Sequence, residues 1–154
     1  CGAWSRCGRF LATGSRDRSV QIAQFDEARR SLLRSLSLPN HGATVSALSF
    51  SPSGRLLATA ADRTIRVWEG AGWAEQHPRI IGASHPITAL GWVGEDHVAA
   101  ATLEPAVTLW SIVSGQPVYR WLDARSNALA HDPTNDLLFM TFHESVLVAV
   151  RVAG

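Results

Sequence analysis

Residues 41–69 read HGATVSALSFSPSGRLLATAADRTIRVWE, three short apolar bursts separated by turn chemistry. Val45, Leu48 and Phe50 form the first burst, and Ser51-Pro52-Ser53-Gly54 supplies a turn before Leu56, Leu57 and Ala58. Asp62-Arg63 makes a second turn. Beyond it Ile65 and Val67 alternate with Thr64 and Arg66, the period-two pattern of a strand with a buried face. Three strands fit this stretch better than one helix.

The same pattern recurs along the chain. Gly8 to Ile22, GRFLATGSRDRSVQI, repeats the second half of the unit. A third copy runs through Ile87 to Trp92, Val98 to Thr102 and Ala106 to Trp110. A weaker fourth uses Ala128 to Pro133, Leu137 to Thr141 and Ser145 to Val150. The ends of the third strands fall at Ala23, Trp68, Trp110 and Ala149, spaced 45, 42 and 39 residues in succession. Those spacings lie around the period of about 40–45 residues of a four-stranded propeller blade. Leu32 to Leu38, Arg79 to Ile81 and Val118 to Trp121 each sit where an outer fourth strand belongs, although Asp26 to Leu36 also fits a short helix. The expected fold is all-β, with four-stranded antiparallel meanders over residues 1–40, 41–82, 83–121 and 122–154.

These residues resemble the WD-repeat, β-transducin-like propellers, over nearly the whole chain. The most specific pieces are His41-Gly42, Phe50 to Thr59 and Asp62 to Glu69. His41-Gly42 inverts the family's Gly-His, Trp68-Glu69 stands for its Trp-Asp, and Asp62 arrives one residue early. The resemblance implies that His41, Thr59, Asp62 and Trp68 form one hydrogen-bonded chain locking the strands of a blade. The first repeat keeps Thr13 and Asp17 but has Ala23 for tryptophan, and the third keeps Trp110 with Ala100 and Glu104. The fourth retains almost none of the chain. Because the family typically uses about seven blades and this sequence begins at Cys1 with four, an incomplete ring is expected, a C-terminal fragment prone to association when alone.

Composition narrows the function classes. At 154 residues, 46 % hydrophobic and 18 % charged, the chain has material for a core. A formal charge of +1 supplies no global field for nucleic acid or an anionic membrane. Cys1 and Cys7 make no distributed disulfide framework, and neither a signal peptide nor a run of about 18 apolar residues is present, so an intracellular setting, cytoplasmic or nuclear, is expected.

Histidine, aspartate and hydroxyl together suggest a hydrolase triad, but no Gly-x-Ser-x-Gly elbow occurs and a structural role covers all four residues. His41, His77, His85, His97, His131 and His143 show no HExxH and no cysteine-paired spacing. Neither Gly42 nor Gly70-Ala71-Gly72 has a phosphate-cradling pattern. No metal or cofactor is therefore expected. Arg16, Arg18 and Arg63 fall in equivalent turns and would give neighbouring blades one basic rim, either as solvated turn residues or as a contact for an acidic peptide. The expected function is a protein-interaction scaffold. A nucleic-acid-contacting platform and a propeller-based enzyme are the alternatives.

Overall fold

Each apolar burst becomes one strand, and each turn cluster reverses the chain. The computed structural model describes residues 1–26, 28, 31–70, 73, 79–122, 126–132, 137–142 and 147–151. The first sheet contains β1 (Gly2–Trp4), β2 (Phe10–Gly14), β3 (Val20–Asp26) and β4 (Ser31–Leu38). The second contains β5 (Val45–Phe50), β6 (Leu56–Ala61), β7 (Thr64–Glu69) and β8 (Arg79–Gly82). In the third are β9 (Ile87–Val93), β10 (His97–Thr102), β11 (Ala106–Ser111) and β12 (Pro117–Leu122). The described part of the fourth has three strands, β13 (Ser126–Asp132), β14 (Leu137–Phe142) and β15 (Leu147–Arg151). All pairings are antiparallel between consecutive strands. Within 26–36 the helix alternative fails, because Val20 to Asp26 pairs with Ser31 to Leu38 and gives those backbone groups a ladder.

The first turn of a blade has a serine-based design. Ser51 accepts Gly54 N–H on its carbonyl at 2.8 Å and Leu56 N–H on its hydroxyl at 3.2 Å. Ser5 repeats this with Gly8 N–H at 2.9 Å and Phe10 N–H at 2.9 Å. Both turns close on a glycine with positive φ, +71° at Gly8 and +72° at Gly54, a region where a side chain is strained. Ser5 and Ser51 are buried, so each hydroxyl takes a backbone donor that would otherwise lack a partner.

Burial on two faces drives the sheets together. On β6, Leu57 joins a cluster with Ile22, Val45, Phe50, Trp68 and Trp73 at the first–second sheet boundary. The alternate residues Ala58 and Ala60 face the third sheet with Ile65, Val67, Trp92 and Val98. In β10, Val98 and Ala100 serve that boundary, whereas Ala99 and Ala101 serve the next with Leu138 and Met140. A run apolar at every position therefore marks a strand packed on both sides. The sheets stack in chain order, with β1 against β5, β5 against β9 and β9 against β13, so the first strands line one inner surface. The described sheets form an open series of blades, not a closed ring. Trp92 crosses one boundary, its Nε1 donating to Ser49 O at 2.8 Å, and Ser46 Oγ donates to Ile87 O at 2.7 Å.

Candidate functional site

Trp68 is buried, and its Nε1–H donates to Thr59 Oγ1 at 2.9 Å across adjacent strands. His41 lies edge-on to the Trp68 ring, with centroids 6.0 Å apart. Its backbone N–H donates to Arg18 O at 3.0 Å, which ties the approach to β5 onto the first sheet. The imidazole Nε2 is buried with no hydrogen-bond partner among the described residues. Burial, reinforced by the Arg66 charge, pushes the His41 pKa down to about 4, so the ring is neutral at pH 7.

Asp62 stands apart from this group. It occupies the first position of the two-residue turn between the paired Ala61 and Thr64, with φ +52°. Its half-exposed carboxylate lies 3.7 Å from Arg63 Nε. The expected four-residue chain is thus corrected: Trp68 and Thr59 bond, His41 packs against Trp68, and Asp62 points away. Shortening of the turn is the physical reason. In the first blade, the longer Ser15-to-Ser19 turn lets Asp17 turn back and accept Ser19 N–H at 2.9 Å and Oγ–H at 2.6 Å. The Ser19 hydroxyl bond first, and its backbone N–H second, hold the Asp17 pKa below its usual value. Histidine, aspartate and hydroxyl do not meet, so no triad is assembled from them.

Arg16, Arg18 and Arg63 are all exposed. The first two lie between β2 and β3, and Arg63 lies between β6 and β7, so these equivalent turns share one edge of adjacent sheets. Each turn also receives the strand approach of the next sheet. Thr44 Oγ1 donates to Arg16 O at 3.4 Å and Val45 N–H to Ser15 O at 3.2 Å, while Ala83 N–H and Ile87 N–H donate to Arg63 O and Asp62 O, both at 2.7 Å. On the third sheet that edge carries Glu104, bonded to Arg120 at 2.6 Å and to His85 at 3.0 Å. The three arginines therefore lie on two sheets, in turns that also hold Asp17 and Asp62, and the same edge of the third sheet carries a paired carboxylate.

Among the described residues, no group of three or more His, Cys, Asp or Glu is placed to hold a metal. His77, His143, Ala71 and Gly72 lie outside the described residues. Cys1 and Cys7 are free and exposed. No described helix is long and apolar enough to cross a membrane.

The family model for the WD domain, G-beta repeat, matches residues 1–22 and 31–69. SIR4-interacting protein SIF2 of Saccharomyces cerevisiae is 32 % identical over 93 residues, covering 53 % of this chain and 17 % of the relative. THO complex subunit 3 of Arabidopsis thaliana is 27 % identical over 143 residues, covering 90 % and 45 % respectively. A chain in the crystal structure of the Mitotic Checkpoint Complex superposes with a TM-score of 0.76 at 25 % identity, over 99 % of this chain and 48 % of that one. This chain spans less than half the length of these relatives. With repeated blades, matching motifs and the shared fold together, it is similar to the WD-repeat β-propellers.

Proposed function

We propose that this chain is an assembly platform that contacts partner proteins through its loop edges, with Arg16, Arg18 and Arg63 binding an acidic peptide segment. The observation carrying this reading is the placement of three exposed guanidinium groups on equivalent turns of adjacent sheets. Those turns are anchored to the following strand approaches, so their backbone is held before a partner arrives. Arginine presents forked donors suited to carboxylates, and preorganisation reduces the ordering cost of binding. Two similar proteins named for an interaction or a complex, SIF2 and THO complex subunit 3, support an assembly role in general. Separation of Asp62 from His41 and Thr59 favours binding over hydrolysis. A cytoplasmic or nuclear setting belongs to the same reading, supported by two free thiols and no disulfide among the described residues.

The test is fluorescence anisotropy with a labelled glutamate-rich dodecapeptide at low and physiological salt. Replacing Arg16, Arg18 and Arg63 together with glutamate should weaken binding about tenfold or more at low salt, where screening is least. The melting curve should remain unchanged. Equal binding by the triple variant would reduce the three arginines to solvated turn residues.

A further inference from the structure

Opposite the arginine rim, the edge carrying the first turns contains a cleft between the first and second sheets. It has a volume of about 350 Å³ and is lined on one side by Cys7, Arg9 and Phe10 and on the other by Arg55, Glu69 and Trp73. Trp73 is 1 % exposed, yet its Nε1 has no hydrogen-bond acceptor among the described residues. A buried indole N–H without an acceptor costs free energy that a ligand oxygen recovers on binding. The indole edge is next to the cleft wall: a Cβ built on Gly70, itself a lining residue, would meet Trp73 Cζ2 at 3.0 Å and Cε2, the carbon bonded to Nε1, at 3.5 Å. Phe10 and Phe50 pack edge-on against Trp73 at 5.9 and 6.0 Å, giving the cleft a fixed aromatic floor.

We propose that this cleft binds a partner peptide through a carboxylate side chain, with Trp73 Nε1 and the guanidinium groups of Arg9 and Arg55 as its donors. This inference rests on the interaction-platform reading but uses the opposite edge of the blades. Indole N–H and guanidinium groups donate and do not accept, so their complement is an acceptor, and two cations select an anionic one. Arg9 and Arg55 are exposed and, among the described residues, make no side-chain hydrogen bond or ion pair, leaving both forks available. Glu69 is the one carboxylate among the described residues of the cleft wall, against the two guanidinium groups. The adjoining cleft between the second and third sheets includes Glu95 and Asp96, so the anion's place is at the Trp73 end. Cys7 marks the mouth. Its thiol contacts Ser5 Oγ at 3.4 Å, and this bond, ahead of an added Arg9 charge, holds its pKa below the usual thiol value.

The probes are fluorescein-labelled Gly-Ser-Leu-Glu-Leu-Ser-amide and its glutamine counterpart, measured by anisotropy against the whole chain. The glutamate peptide is expected to bind at least about tenfold tighter, and Arg9→Gln with Arg55→Gln should erase that preference without moving the melt. Trp73→Phe should weaken the glutamate peptide about fivefold or more. If that variant is destabilised, the surface arginine pair carries the test. Bound glutamate peptide should also slow iodoacetamide alkylation of Cys7, read by mass spectrometry. Equal binding of the two peptides, no binding of either, or a preference that survives Arg9→Gln with Arg55→Gln overturns the cleft assignment. A preference lost only when Arg16, Arg18 and Arg63 become glutamate overturns it too, while leaving the rim reading intact.

Discussion

Trp68 meets Thr59 through a hydrogen bond and His41 through ring packing, and these contacts have separable signatures. Thr59→Val keeps the side-chain shape but leaves the indole N–H without its acceptor. Unfolding free energy should fall by about 1–3 kcal/mol in denaturant titration, with a smaller added loss when Trp68→Phe is also present. No coupling between the two changes would remove the bond from the stability of the blade. His41 has a folded pKa near 4, below its unfolded value near 6.5. Its stabilising contribution is full above pH 6.5 and declines as pH falls towards 4, because the unfolded state binds the proton more readily. A loss on the order of 2–3 kcal/mol is expected across that window, and His41→Phe should flatten this part of the profile. The family resemblance supplied His41, Thr59, Asp62 and Trp68 as one group, on the strength of their places in the repeat. Their unequal bonding depended on depth and angle.

At the scale of the element, the β6–β7 turn decides what Asp62 does. The sequence showed that Asp62 comes one residue early, but only the backbone reveals φ +52° and a carboxylate turned towards Arg63. Asp62→Gly should be close to neutral, whereas Asp62→Ala should lose about 1 kcal/mol from its left-handed backbone. Equal and larger losses in both variants, measured by thermal or denaturant unfolding, would restore a carboxylate role in the blade. The Ser5 and Ser51 turns show the opposite balance. Ser51-Pro52-Ser53-Gly54 is readable from composition, whereas Ser5, with the same two bonds, is obscured by Arg6-Cys7 between it and Gly8. Trp73 lies outside the strand repeat altogether, so no period flags it, and its unpartnered indole emerges only from packing against Phe10 and Phe50.

At the scale of the molecule, outer strands leave apolar side chains in solvent: Leu32 and Leu33 on β4, Ile80 on β8, and Val118, Tyr119 and Leu122 on β12 are all more than half exposed. Such edges favour pairing and apolar association. The chain alone should therefore sediment as more than a monomer at micromolar concentration, and Leu32→Lys with Val118→Lys and Leu122→Lys should shift it towards monomer. A monomer with an unchanged melt and no apolar-dye binding would refute that expectation. The sequence by itself determined the strand repeat, the four-blade series and the turn positions, because alternation, turn residues and a period near 40 are local properties repeated along the chain. Only the tertiary structure decided which faces became boundaries, how Trp92 joined two sheets, why Asp62 left the Trp68 group, and that Trp73, Arg9 and Arg55 line one cleft. Those relations join residues far apart in sequence or depend on a single backbone angle, so a linear pattern carries no measure of them.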